Sequence, residues 1–267
     1  MVQKLNNIGL TKILQLGLGA LLLGQSVLFF TKNPEMSQGF EYLRIVGKFI
    51  LPLAFVLLLL PLTIQRKNKW VFILVAIILF SDSVYLMTKN KYVFEQLVEH
   101  ALKFGLPLFY VFHGRFSWKK NALFLKTLVA LTFIGHGLFA MGLHFVPGGF
   151  IQMTQNILMF DVDGSRTFLF VVGLLDLLVA VCIFIKPFQL PAMVYMVFWG
   201  VLTSLARFVG YYYHAPTEEV FGVYLFETIW RTSHFLAPLI LVMMYINGIS
   251  FTFSDMLLSD DRKALSH

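Results

Sequence analysis

The sequence predicts an all-α membrane protein with about eight transmembrane helices, and three observations support this fold class. Of its 267 residues, 58% are hydrophobic and only 13% are charged. The mean hydropathy is +0.77, which is typical of polytopic membrane proteins and not of soluble domains. The apolar residues form runs close to the roughly 20 residues that a helix needs to cross a bilayer, and short basic segments separate these runs.

The first half of the chain contains four predicted spans. The first span has three glycines, which allow neighbouring helices to approach closely. The second has two prolines, which a helix inside a bundle tolerates because its neighbours satisfy the freed backbone groups. The fourth is the least regular, because it opens with charged residues and is continuously apolar only over residues 104–112. These spans cover residues 10–30, 45–64, 70–87 and 93–112.

The second half also contains four predicted spans, and a long connection follows the first of them. This connection covers residues 147–166, and in its middle, residues 150–160, apolar residues alternate with amide side chains, which predicts a short amphipathic or re-entrant segment. We therefore divide the chain into an N-terminal four-helix half (1–113), a C-terminal four-helix half (114–250) and a cytoplasmic tail (251–267). The predicted spans of the second half cover residues 122–146, 167–185, 190–213 and 220–247.

Basic residues predict the orientation of the spans. With eight spans, most lysines and arginines of the connections fall on one side of the membrane, and the positive-inside rule places both termini in the cytoplasm. If residues 93–112 do not cross, the second half inverts. The net charge of +7 lies mostly in short connections, so we expect it to face lipid headgroups and not nucleic acid.

A weak internal repeat relates the two halves. Similar residue pairs occur late in the first and fifth spans, and similar charged motifs, each followed by a proline (Pro107 and Pro238), lie in the fourth and eighth spans. Two four-helix repeats in parallel orientation would explain an even number of spans. The corresponding motifs are Gly24-Gln25 with Gly135-His136, and Glu95-x3-Glu99 with Glu227-x3-Arg231.

Six ionisable residues of the second half lie at a similar predicted depth, on the non-cytoplasmic side of the membrane. At 100° per residue, Glu227, Arg231 and His234 share one face of the last span. Ionisable groups inside a membrane are costly and normally face a bundle interior. Because four helices converge here, we predict a ligand-binding or proton-handling site. Its residues are His136, Asp176, Arg207, Glu227, Arg231 and His234.

These residue types allow several chemistries. The two arginines can bind an anion such as a carboxylate or sulfate, or can form ion pairs with the two carboxylates that only fix helix packing. The two histidines can carry protons, and a pair on different helices could flank a haem. Trp199 and Trp230 are predicted to form the wall of a pocket for a flat ring.

The ionisable residues of the first half are interpreted differently. They lie nearer the ends of the predicted spans, where long side chains reach the membrane surface. We therefore interpret them as structural or interfacial. These residues are Asp82, Glu95, Glu99, His100 and Lys103.

No motif in the sequence specifies a reaction. There is no His-Glu-x-x-His, no Gly-x-Ser-x-Gly and no phosphate-binding loop. The single cysteine, Cys182, excludes an internal disulfide and a Cys-x-x-Cys redox pair, and we predict no metal site.

Two glycine- and leucine-rich motifs lie in the second half, Leu131-x3-Gly135-His136-Gly137-Leu138-x2-Met141-Gly142 and Gly173-Leu-Leu-Asp176-Leu-Leu-Val-Ala. Together with the polar connection between them, they resemble the DoxX-type four-helix membrane module, and the first half would be a diverged copy. The resemblance implies a bacterial inner membrane, a redox-associated role and a pocket for a quinone or another small molecule. Because a redox cysteine pair is missing, a thiol-transfer role does not follow.

Three hypotheses of function follow from these features. The first is a multi-pass inner-membrane protein whose outer-leaflet pocket binds a small molecule, with a quinone as the candidate, for redox-linked work. The second is a proton-coupled transporter of a small anion. The third is a structural or assembly subunit whose polar helix faces dock a membrane protein partner.

Overall fold

The computed structural model describes residues 2–31, 38–91 and 93–249. All regular structure within these ranges is helical, which confirms the predicted all-α class. Seven helical segments are long and apolar enough to cross a membrane, as expected for a multi-pass membrane protein. The predicted tail, residues 251–267, lies outside the described residues.

The helices follow the predicted spans closely, with short helices between them. A 3-10 turn (Lys186–Phe188) precedes α10, and a π-helical turn (Val220–Tyr224) precedes α12. In chain order the helices are α1 (Val2–Thr31), α2 (Gln38–Leu59), α3 (Leu62–Lys67), α4 (Trp70–Lys89), α5 (Glu95–Glu99), α6 (Ala101–Phe112), α7 (Trp118–Met141), α8 (Gly148–Leu158), α9 (Val162–Cys182), α10 (Gln189–Tyr211), α11 (Thr217–Glu219), α12 (Leu225–Arg231) and α13 (Ser233–Ile246).

Local sequence explains where several helices begin and end. Ser117 caps α7 by accepting a hydrogen bond from the Lys120 amide, and Asp161 caps α9 by accepting one from the Gly164 amide. Gly142 ends α7 in the left-handed conformation, at a φ of 74°, which glycine adopts without steric cost.

The predicted fourth span is a broken helix and not one continuous span. α5 and α6 meet at His100, and α6 alone is only 12 residues long. The hydroxyl of Tyr110, near the end of α6, donates a hydrogen bond to Gln65, which lies shortly before α4. Since α4 carries the chain to the other end of the bundle, α5 and α6 together return it. In the bundle, the broken helix therefore runs antiparallel to α4.

The last span is broken in the same way, between α12 and α13 at Thr232. Backbone groups near each break find hydroxyl partners on a neighbouring helix. The Leu102 amide donates to the Thr132 hydroxyl, at 3.1 Å, and the Ser204 hydroxyl donates to the Arg231 carbonyl, at 2.9 Å. Breaks at membrane depth are tolerated because such partners satisfy the backbone.

Each broken helix packs against the first helix of the other half. α1 lies along α12 and α13, and α7 lies along α5 and α6. Close approach depends on glycine in both places: a side-chain carbon at Gly24 would meet the Trp230 backbone, and one at Gly135 would meet the Glu99 backbone. The two halves thus share this packing pattern, while the parallel repeat itself stays a prediction.

Helices α2, α9 and α10 lie at the outside of the bundle, with large apolar side chains exposed along their length. Examples are Phe49, Leu178 and Phe198. Contiguous exposed apolar surface of this extent suits contact with lipid. The central helices α1, α7, α12 and α13 are more deeply buried, and the polar site lies among them.

Candidate functional site

Five of the six predicted site residues line one cavity of about 420 Å³, here called cavity one. The cavity lies between α7, α8, α9, α10 and the α12–α13 helix. Most of its wall is apolar, and its aromatic side chains include Phe133, Phe168 and the predicted wall residue Trp199. The predicted residues that line it are His136, Asp176, Arg207, Arg231 and His234.

The two predicted histidines are in direct contact. The rings of His136 and His234 meet edge to face, with their centroids 5.2 Å apart. His136 Nδ1 also lies 3.3 Å from Glu99 Oε2. The contact therefore connects the second half to a carboxylate of the first half.

Asp176 lies on α9, at a separate part of the cavity wall. It is buried, and Tyr195 and Trp199 of α10 present donor groups toward its carboxyl. Its Oδ1 atom has no hydrogen-bond partner among the described residues. No salt bridge joins Asp176 to Arg207 within the described ranges, so this predicted alternative pairing is not formed.

The two arginines stand between cavity one and a second cavity. Arg207 pairs instead with Glu227, at 3.5 Å between Nη1 and Oε2. Arg231 packs over the ring of Trp230, 4.8 Å from its centroid. Within the described part of the chain, Arg231 forms no salt bridge with Glu227, although the two residues are one helical turn apart.

The second cavity, here called cavity two, has a volume of about 600 Å³ and lies between the two halves. Both predicted residues that do not line cavity one, Glu227 and Trp230, line this cavity. Its polar lining residues from the first half are Gln25, Arg44, Asp82, Lys89, Gln96, Glu99, His100 and Lys103.

Several first-half residues that we interpreted as interfacial are buried. Glu99, His100 and Lys103 are each no more than 6% exposed, so the snorkelling interpretation is wrong for them. Lys103 Nζ lies 2.7 Å from Asp82 Oδ2, and His100 Nε2 lies 3.4 Å from Glu99 Oε1. The break at His100 places these residues on the surface that meets the second half. The match of Glu95-x3-Glu99 to Glu227-x3-Arg231 was the sequence signal that could have identified Glu99.

Trp230 occupies the centre of this polar region. Its ring meets the rings of His100 and His234 edge-on, at centroid distances of 6.0 and 5.3 Å. Two cations, Lys103 and Arg231, lie over it, at 5.8 and 4.8 Å from the centroid. Trp230 therefore separates polar groups of the two halves and does more than form a pocket wall.

The amphipathic segment predicted at residues 150–160 corresponds to helix α8, which covers cavity one. Phe150, Met153 and Ile157 of α8 line the cavity. The Asn156 side chain donates a hydrogen bond to the Gly210 carbonyl, at 2.8 Å, and thereby ties α8 to the end of α10.

The geometry bears on the metal and haem alternatives. No group of three or more potential metal-ligating side chains occurs within the described residues. The edge-to-face contact between His136 and His234 leaves no room for a porphyrin plane between their rings. This arrangement does not fit a haem ligated by the two histidines.

Comparisons with known proteins add no family name: no family model, no curated protein and no solved structure matches this chain.

Proposed function

We propose that this multi-pass membrane protein binds a small lipid-soluble molecule with a flat ring, of the quinone class, in cavity one. The observation that carries the proposal is the position of the cavity mouth. Leu202, Leu205 and Val209 line the cavity and are also 42%, 47% and 54% exposed on the outside of α10. A ligand dissolved in the bilayer could therefore enter from the side without crossing the headgroup region.

The size and walls of cavity one suit such a ring. A volume of about 420 Å³ falls within the range of roughly 300–1,000 Å³ that is usual for small-molecule sites. Phe133, Phe168 and Trp199 offer aromatic surfaces on which a flat ring can stack.

The polar groups of cavity one can serve the two oxygens of a quinone. Histidine and arginine side chains donate hydrogen bonds to carbonyl oxygens, and His136, His234 and Arg231 line the cavity. Reduction of a quinone requires protons as well as electrons. The pair of histidines, which contacts Glu99 through His136, supplies groups that can transfer the protons.

We also propose a DoxX-like build and a membrane location for the protein. A DoxX-like four-helix build is supported by the second half, where an amphipathic helix lies between the first two spans. We propose a bacterial inner membrane as the location, with both termini in the cytoplasm and cavity one in the outer leaflet.

The proposal can be tested with Trp199 as the only tryptophan. Phenylalanine replaces Trp70, Trp118 and Trp230 in the full-length protein, purified in mild detergent, and decylubiquinone is titrated while the fluorescence of Trp199 is recorded. We expect saturable quenching. Ala206→Phe, which places a large side chain in the cavity, should weaken binding about tenfold or more.

The matched control is Val194→Phe, because Val194 lies on the same helix but faces outward and is not part of the cavity. It should leave the affinity unchanged. Quenching that never saturates, or that both variants alter equally, would contradict a quinone site in cavity one.

A further inference from the structure

Cavity two contains buried polar groups that no protein group satisfies. Among the described residues, His100 Nδ1 and Arg231 Nε are buried without a hydrogen-bond partner. Gln25, which is 3% exposed, also lines the cavity and offers an amide group. Because buried polar groups are normally hydrogen-bonded, two such unpartnered atoms around one cavity indicate a polar ligand.

The charges around cavity two favour an anion. Each lining carboxylate already has a close partner: Asp82 contacts Lys103, Glu227 contacts Arg207, and Glu99 contacts His136. Arg231 is different, because it forms no salt bridge with any carboxylate among the described residues. A cation held inside the membrane without such a pair is costly, and a bound anion would offset that cost.

We propose that cavity two binds a small monocarboxylate through Arg231, with Gln25 and His100 as additional hydrogen-bond donors. The planar guanidinium matches the two oxygens of a carboxylate. Three carboxylates already line the cavity, so a single charge is favoured over a dianion. Phe29 and Trp230 offer apolar surface for the rest of the ligand.

This inference does not depend on a quinone in cavity one. Gln25 and His100 line cavity two and are not part of cavity one, whereas Asp176 and Ala206 line cavity one and are not part of cavity two. The two sites can therefore be tested separately.

The test uses the full-length protein with Trp230 as the only tryptophan, after phenylalanine replaces Trp70, Trp118 and Trp199. Benzoate is titrated, and benzamide serves as the neutral probe of the same shape. We expect a saturable change in Trp230 fluorescence with benzoate and at least about tenfold weaker binding of benzamide. Ala206→Phe should leave the affinity for benzoate unchanged.

Two variants identify the binding groups. Arg231→Gln and Gln25→Leu should each weaken benzoate binding about tenfold. Gln25→Leu replaces a buried polar side chain by an apolar one of similar size, so it remains informative if Arg231→Gln does not fold, and a thermal melt of each variant checks this. Acetate should displace benzoate, and sulfate should not.

Three results would overturn the inference: equal binding of benzamide, unchanged affinity in a folded Gln25→Leu or Arg231→Gln protein, or displacement by sulfate as strong as by acetate. A protein that binds decylubiquinone but not benzoate would lose this inference and keep the proposed function. A protein that binds benzoate but not decylubiquinone would keep this inference and lose the proposed function.

Discussion

The carboxylate of Glu99 contacts side chains from both halves of the protein. His100 and Gln96 of the first half contact its carboxylate, and His136 of the second half contacts it from α7. A buried carboxylate is stable only when such groups satisfy it, because transfer out of water is costly for an ion. Glu99 therefore couples the broken helix of the first half to the histidine pair of cavity one.

Glu99→Gln tests this coupling at nearly constant size. The amide removes the charge that the partners face and places an N–H donor beside at least one of them. We expect a loss of about 2 kcal/mol in the free energy of unfolding, measured by denaturant titration in detergent. The control is Glu218→Gln at an exposed position, which should change stability by less than about 0.5 kcal/mol. Equal stability of both variants would show that Glu99 has no structural role.

Some individual residues of the site could be predicted from the sequence. Glu227, Arg231 and His234 share a helix face, and periodicity alone reveals such a stripe. Glu99 and His100 were not predicted as site residues, because they stand in the least apolar of the predicted spans and resemble residues at a membrane surface. Their burial follows from the contact between α5 and α7, and contacts between distant helices leave no periodic signal in a single sequence.

At the scale of the elements, the two broken helices determine the arrangement of the site. Each break directs polar side chains toward the interface between the halves, and a glycine of the facing helix allows the backbones to approach. Pro238 lies in α13, shortly after the break. Because proline has no N–H, it cannot donate a hydrogen bond to the carbonyl of His234, and that carbonyl lies against Gly200 of α10.

Gly135→Ala tests the close packing of α7 on α5. An added methyl group would overlap the backbone of Glu99, so the helices must separate. We expect a loss of about 2 kcal/mol in the free energy of unfolding and a lower melting temperature. In Gly222→Ala the new methyl group meets no neighbouring atom within 4 Å, so this variant should be neutral or slightly stabilising. A neutral Gly135→Ala would contradict the tight contact.

Helix breaks themselves are only partly visible in sequence. Charged residues marked the fourth span as irregular, and α5 and α6 confirm that irregularity. The break between α12 and α13 was not predicted, although Arg231-Thr-Ser-His234 interrupts the apolar run at that point. A hydroxyl from Ser204 on another helix supports that break, and this partner is recognisable only in the folded bundle.

At the scale of the whole molecule, the two halves place their first helices in the same direction. Gln15 of α1 bonds to Gln65, at 3.3 Å, and Asn121 of α7 bonds to the His113 carbonyl, at 2.6 Å. Since Tyr110 also bonds to Gln65, both helices begin at the same end of the bundle. This direction is the one expected if the broken helix α5–α6 crosses the membrane, as the prediction of eight spans has it.

Cysteine labelling can test the eight crossings. In a Cys182→Ala background, single cysteines replace Lys67, Asn90, Lys119 or Asp163, and intact cells receive a membrane-impermeant maleimide. We expect labelling at positions 90 and 163 only, because they lie at the end of the bundle that bears α8. Labelling at positions 67 and 163 without labelling at 90 and 119 would be inconsistent with this topology.

The most direct test of the central claim is photolabelling of the full-length protein in membranes with an azido-quinone, followed by peptide mass spectrometry. We expect labels on α8 and α10, within residues 148–158 and 199–209, and loss of these labels in Ala206→Phe and on addition of excess decylubiquinone. Labels confined to outward-facing residues of α2, and insensitive to competitor, would contradict a quinone site in cavity one.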